Sequence, residues 1–128
     1  MGYIKSYKDL IVWQKSIQLV KEIFILTNYF PKSELYGLIS QMRRAAVSIP
    51  SNIAEGSARK SLKDYSQFYS IAYGSALELE TQIIISKELK LTNIERFGRV
   101  DVLLVEVLRM LNFMRTKMRK NAKLVTES

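Results

Sequence analysis

Apolar residues recur at intervals of three and four along nearly the whole chain, the spacing that gathers them on one face of a helix. The first such segment is expected to run from about Tyr7 to Asn28, with Leu10, Trp13, Ile17, Val20 and Phe24 turned inward. Ser6 and Asp9 have the spacing of a capping box, in which each side chain satisfies a free backbone N–H of the other. Tyr29-Phe30-Pro31-Lys32 reads as the following turn, because the residue before a proline avoids helical backbone. A second helix is expected over about 34–58, with Leu35, Leu38, Met42, Ala46, Ile49 and Ile53 as its stripe. A kink is expected near Pro50, whose ring removes a donor and crowds the preceding turn, and Gly56 marks a second weak point. Ser61 with Asp64 opens a third helix over about 62–90, and Thr92 with Glu95 a fourth over about 93–120. The fourth carries Val100, Leu104, Val107, Leu111, Met114 and Met118 along one seam, and the residues after Lys120 are expected to fray. Four amphipathic helices with short turns predict one all-α domain over residues 1–128, an antiparallel up-and-down four-helix bundle.

The third helix carries more apolar surface than a lone bundle hides. Between Tyr65 and Ser86 its charged residues are Glu78 and Glu80. Phe68, Ala72, Ala76, Leu79 and Ile83 form the inward stripe. Ile71, Ile85 and Leu89 lie on one flank, and Tyr73, Leu77 and Ile84 on the other. A helix apolar nearly all round is buried on more than one side, so a homo-oligomer is expected. The second helix offers small residues opposite its stripe: Ser40, Val47, Ser51, Ala54 and Ala58. Arg44, Ser48, Ser51 and Glu55 share one face beside them. That face reads either as a ligand or RNA site built from Arg44 and Glu55, or as a structural polar seam in which Arg44 pairs with Glu55 or Glu78 inside the bundle or between subunits. The seam is preferred, because buried carboxylates on the third helix need a cation. Arg43 points elsewhere and is the better candidate for an exposed contact.

Composition narrows the chemistry. Cys and His are both absent, which excludes disulfides, thiolate nucleophiles, imidazole bases and His- or Cys-ligated metals. Glu55, Glu78 and Glu80 remain as candidates for acid–base work or for magnesium, but Glu78 and Glu80 stand two apart on a helix and diverge. A non-enzymatic protein with no cofactor is expected. The opening residues carry charge where a secretory signal would be apolar, and no stretch is apolar enough to span a bilayer. Gly2 and Ser6 satisfy the loose myristoylation pattern, which is read as incidental. A cytoplasmic protein with no membrane partner is expected. The net charge of +8, from 20 basic and 12 acidic residues, favours a polyanion as partner.

The segment Gln41-Met42-Arg43-Arg44-Ala45-Ala46-Val47-Ser48-Ile49-Pro50-Ser51-Asn52-Ile53-Ala54-Glu55-Gly56 resembles the signature of the bacterial four-helix-bundle family encoded in intervening sequences of 23S rRNA genes. Two further stretches agree with it, Tyr7 to Lys15 and Gly74 to Thr81, and the likeness extends over about residues 7–120. Ser16 departs from the alanine usual after the tryptophan, which is expected to loosen packing. The resemblance implies a homopentameric barrel of four-helix protomers. It also implies kinship with the accessory variability protein of diversity-generating retroelements, which is similar in fold and assists a reverse transcriptase bound to RNA.

Two basic clusters are candidates for contact with nucleic acid. Arg59, Lys60 and Lys63 surround the turn between the second and third helices. Arg109, Arg115, Lys117, Arg119, Lys120 and Lys123 load the end of the fourth, with no acid between Val107 and Thr126. Cations complement the carboxyl end of a helix dipole, but six within this stretch exceed what that needs. No zinc finger, helix-turn-helix signature or glycine-rich phosphate loop accompanies them, so contact through phosphates and shape is expected. Tyr65, Tyr69 and Tyr73 have the spacing of packing residues more than of base-stacking ones. The expected function is an oligomeric adaptor for nucleic acid, RNA before DNA. The alternative is a protein-interaction scaffold that recruits an RNA-bound enzyme such as a reverse transcriptase.

Overall fold

A computed structural model of the chain describes residues 6–127, with side chains through Leu124. Four long helices carry the fold: α1 (Ile11–Thr27), α2 (Ser40–Ser57), α3 (Leu62–Glu88) and α4 (Gly98–Glu127). No strand occurs among the described residues, and no helix there is long and apolar enough to cross a membrane. Gly2 of the myristoylation pattern lies outside them.

The helices pack in a cycle, α2 on α3, α3 on α4, and α1 against both α2 and α4. Met42 Sδ accepts the Ser86 hydroxyl at 3.4 Å, the Ser48 and Ser75 hydroxyls meet at 2.8 Å, and Gly56 lies against Phe68. Rising numbers on α2 therefore meet falling numbers on α3. Leu19, Ile23, Met42, Ile49, Ile53, Leu79, Val107 and Leu111 are fully buried between the four helices. Each such side chain contributes roughly 1.5–3 kcal/mol by leaving water. Salt bridges at the rim, Lys15–Glu106 and Lys87–Asp101 at 2.8 Å and the looser Arg99–Glu22 at 3.6 Å, tie α4 to its neighbours.

The first helix begins later than expected and is rotated. Tyr7–Asp9 form a 3-10 turn in which the Ser6 hydroxyl accepts the Lys8 N–H at 3.1 Å. Leu10 is extended (φ −72°, ψ 129°), so Ser6 caps a turn rather than the helix, and the Asp9 N–H bonds the Ser6 backbone carbonyl instead of closing the expected box. The Gln14 side-chain amide donates to the Lys8 carbonyl at 2.9 Å and pins that turn onto α1. The inward face of α1 is Val12, Ser16, Leu19, Ile23 and Leu26, whereas Leu10, Trp13, Ile17 and Val20 are half-buried and Phe24 is exposed. Both rows are spaced for a helix; burial falls on the row that meets α2 and α4 together. Ser16 does not loosen this face: it is fully buried, with its hydroxyl donating to the Trp13 carbonyl at 2.7 Å.

No break in the helix occurs at Pro50, and the non-helical backbone lies further upstream. Pro50 is buried inside an unbroken α2, while the backbone leaves helical values at Gly37 (φ −112°, ψ −110°), within the π-turn Leu35–Ile39. From Met42 onward the expected stripe of α2 is the buried one, and Leu35 ahead of it is exposed.

Ser61 caps α3 as its spacing predicts, its hydroxyl accepting the Asp64 N–H at 3.1 Å. At the other end the Leu91 N–H bonds the Ser86 carbonyl at 3.1 Å and the Lys90 N–H the Lys87 carbonyl at 3.0 Å. This is a Schellman motif, but with Lys90 in the left-handed region (φ 53°), where glycine is usual. Lys90→Gly is expected to raise stability by roughly 0.5–1 kcal/mol, because left-handed backbone disfavours a Cβ. Thermal unfolding checks this, and an unchanged or lowered midpoint would refute it.

Thr92 does not cap α4. A 3-10 turn, Ile94–Phe97, precedes the helix with Asn93 at its N-cap and no side-chain capping bond. Phe97, 1% exposed and 6.3 Å from the Phe30 ring, anchors that turn in the core. Nor does the helix stop at Lys120: Asn121 to Glu127 contain neither glycine nor proline, and α4 continues through them.

Candidate nucleic-acid interface

The two basic clusters, distant in sequence, lie at one end of the bundle. Ser6, Tyr7, Ser57, Tyr65, Met114 and Met118 line a single recess there. It therefore joins the turn before α1, the end of α2, the start of α3 and the second half of α4. Arg59, Lys60 and Lys63 belong to the second and third of these segments, and Arg115, Lys117, Arg119, Lys120 and Lys123 to the fourth. All but the half-buried Arg115 are exposed. Lys8, which the sequence reading passed over, joins them from the 3-10 turn and is exposed too. Its inclusion follows only from the topology.

Three of these cations rest on aromatic faces. The Arg59 guanidinium lies 4.5 Å from the Phe68 ring centre, Arg115 lies 4.4 Å from that of Tyr73, and the Lys117 ammonium lies 5.8 Å from that of Phe113. Arg115 also donates to the Asn112 side-chain carbonyl at 3.1 Å. Arg115 is thus tied into the bundle, whereas Lys60, Lys63, Arg119 and Lys120 present their charge outward.

Arg109 and Arg43 stand apart from this cluster. Arg109 is exposed, roughly two turns back along α4, at the edge of an apolar recess of about 500 Å³ that it shares with Ile11 and Phe113. Arg43 is not the exposed contact that was expected. Its Nε donates to the Thr27 hydroxyl at 2.9 Å, its terminal nitrogen donates to Asn28 Oδ1 at 3.0 Å, and the guanidinium lies 4.6 Å from the Phe24 ring centre. Arg43 pins α2 to the end of α1.

The polar seam does not form inside the protomer. Arg44, Glu55 and Glu78 are all exposed, and no ion pair joins them among the described residues. The carboxylates were expected to be buried, but the polar outer face of α2 runs beside the outer face of α3. Glu78 accepts instead from the Gln82 side-chain amide at 3.3 Å. The apolar surplus of α3 does stand in solvent: Ile71, Leu77, Ile84 and Ile85 are each 40% exposed or more. Between α1 and α2 a shallow groove of about 280 Å³ is lined by Trp13, Ile17, Val20, Val47, Pro50 and Ala54. It joins the rejected stripe of α1 to the small-residue face of α2.

Of the three tyrosines, only Tyr69 is fully packed. Its ring is buried, and its hydroxyl has no hydrogen-bond partner among the described residues. Burial holds this phenol well above its ordinary range, and the neighbouring Tyr65 pushes it the same way. Tyr69→Phe is expected to raise stability by about 1 kcal/mol at neutral pH, since it removes an unsatisfied buried hydroxyl and leaves the ring. A denaturant midpoint lowered by that change would show that the hydroxyl has a partner. Tyr65 is half-buried and stacks on Tyr69 with ring centres 5.4 Å apart and planes 4° from parallel. Tyr73, also half-buried, lies beneath Arg115.

A comparison with curated proteins gave no match. The family model described as 23S rRNA-intervening sequence protein matches residues 8–113, from the 3-10 turn before α1 into the second half of α4. The match takes in the signature segment in α2, the cations around the α2–α3 turn, the whole of α1 to α3 and α4 as far as Phe113. On that extent of agreement, the chain belongs to the 23S rRNA-intervening sequence protein family.

Proposed function

We propose that the protein is a non-enzymatic, cytoplasmic, basic adaptor that assembles from several copies of itself and binds nucleic acid, RNA in preference to DNA, through phosphates and shape. The observation that carries this reading is the meeting of Arg59, Lys60 and Lys63 with the cations of α4 at one end of the bundle. Acids are few there among the described side chains, with Asp9, Glu55 and Asp64 against nine cations counted from Lys8, Arg59, Lys60, Lys63, Arg115, Lys117, Arg119, Lys120 and Lys123. An exposed, predominantly positive surface of this kind attracts a polyanion and releases its counterions. The family's origin in 23S rRNA genes favours RNA.

The protomer is an antiparallel up-and-down bundle in this reading, in keeping with the opposed numbering of the α2–α3 contacts. Self-association is supported by the exposed isoleucines of α3 and by the apolar α1–α2 groove that a second copy would cover. A ring, pentameric as the family resemblance implies, repeats the basic end once per subunit, so modest contacts add by avidity. The salt dependence of RNA retention on a filter tests the central claim. Retention is expected to fall linearly on logarithmic axes, by about 0.7 per phosphate contacted for a single strand. No retention at low salt, or retention indifferent to salt, would overturn it.

The same exposed face of α3 favours a second reading, a scaffold that holds an RNA-bound enzyme. Capture from the native host with and without nuclease separates the two. Partners that survive nuclease treatment support the scaffold.

A further inference from the structure

The recess at the basic end differs in chemistry from the surface around it. Its volume is about 560 Å³, within the roughly 300–1,000 Å³ of small-molecule sites. Every residue lining it is half-buried, so it is a concavity rather than an exposed patch. Its aromatic lining comes from two elements, Tyr7 from the turn before α1 and Tyr65 from α3. Both are held from behind. The Tyr7 ring meets Trp13 edge-on at 5.5 Å, and Tyr65 is stacked on the buried Tyr69 at 5.4 Å. Met114 and Met118 supply a polarizable third wall.

Two hydroxyls complete it with opposite polarity. Ser6 already accepts the Lys8 N–H, so its own proton is available to donate. Ser57 already donates to the Ala54 carbonyl at 2.6 Å, so its lone pairs are available to accept. The recess thus offers the Ser6 proton to an acceptor and the Ser57 lone pairs to a donor, beside aromatic and thioether side chains. Around it, each chain segment that lines the recess carries a cation one or two residues away: Lys8 beside Tyr7, Arg59 beyond Ser57, Lys63 before Tyr65, Arg115 after Met114 and Arg119 after Met118. A flat heteroaromatic with mixed hydrogen-bonding edges, joined to phosphate, is the ligand with this distribution of properties.

We propose that this recess is a nucleobase site, which takes one unstacked base of a single strand while the surrounding lysines and arginines hold the phosphates on either side. This rests on the reading of the basic end as a nucleic-acid surface, and it adds that unpaired strands are preferred to duplexes. Tyr65 is the stacking platform, and Ser6 and Ser57 meet the base edge.

The test uses the intact protein, with three strands of equal length: duplex RNA, single-stranded RNA, and the single strand with abasic positions. A fourth probe is 2-aminopurine riboside 5′-monophosphate, whose emission reports stacking. Wild type is expected to retain the single strand about tenfold or more tightly than the duplex or the abasic strand. Tyr65→Ala should bring the single strand down to the duplex level and leave the duplex unchanged, while Tyr65→Phe keeps the preference. Tyr7→Ala, outside the long helices, repeats the test should Tyr65→Ala lose helix content. Equal retention of all three strands by wild type, or a single-strand preference that survives in both alanine variants, overturns the base site and leaves the phosphate surface standing. If no polymer is retained, the phosphate surface falls. The base site then stands only if the monophosphate is quenched by wild type and not by Tyr65→Ala, and is overturned without that quenching.

Discussion

Reversal of four outward-facing cations, Lys60, Lys63, Arg119 and Lys120, to glutamate is expected to weaken RNA retention on the order of 100-fold at physiological salt. The figure follows from losing about four phosphate contacts, each worth roughly 0.7 in the logarithmic salt slope for a single strand. These four are chosen because they present charge to solvent without holding the bundle together. Arg115 is left alone: reversing it would unseat its stack on Tyr73 and its bond to Asn112, and would confound binding with packing. The control reverses Lys21, Lys32, Arg44 and Lys90, which are exposed along α1, ahead of α2, on α2 and just past the end of α3. Each set changes four residues by two charges, so both take the net charge from +8 to zero. An equal loss in the control would mean that overall charge, not the gathered end, drives binding.

The second large effect concerns Gly56. A Cβ placed there would stand 2.8 Å from Phe68 Cβ, closer than two carbons approach without something moving. Phe68 Cβ is fixed to the α3 backbone, so relief requires α2 and α3 to separate. Gly56→Ala gains about 1 kcal/mol of helix propensity but meets overpacking of roughly 1–3 kcal/mol, for a net loss near 1 kcal/mol. Gly56→Val adds two methyls and β-branching at the same contact, and a loss of about 3 kcal/mol is expected. That corresponds to a fall in melting temperature of roughly 10 °C for a chain of this size. A Gly56→Ala protein more stable than wild type would mean that the helices part cheaply. The contact also matters for the interface, since the next residues are the turn that carries Arg59 and Lys60, and Arg59 lies over the same Phe68 ring.

The sequence is most readable where one row of residues dominates a helix. On α4 the expected row Val100, Leu104, Val107 and Leu111 is the buried one, and on α3 the Ser61 cap and the run from Ala72 to Ile83 are as spaced. It misleads where two rows compete. In α1 the aromatic row Trp13, Ile17, Val20 and Phe24 outweighs Val12, Ser16, Leu19 and Ile23 in size, yet the smaller row is inside. Periodicity fixes the spacing of a face and leaves its direction to the neighbouring helices. The same ignorance reversed Arg43 and Arg44, adjacent residues whose surroundings differ only because α1 lies to one side of α2. Both basic clusters could be read from local charge. Their union, with Lys8, could not, because it joins segments from residues 8, 59 and 115 that only the packing order brings together. Tyr65 and Tyr69 share a spacing but not a fate: one is sealed in, and the other lines a recess.

The ion pairs of α4 have a consequence for how fast the protein would meet a polyanion. Asp101 and Glu106 sit in the first half of α4, neutralised by Lys87 and Lys15, while nothing negative follows until Glu127. Positive charge is thus concentrated toward one end of the bundle. In the field of a polyanion such a body experiences a torque and turns its charged pole forward before any atoms touch. Capture is therefore expected to be oriented and rapid in dilute buffer, and added salt should act chiefly by slowing arrival.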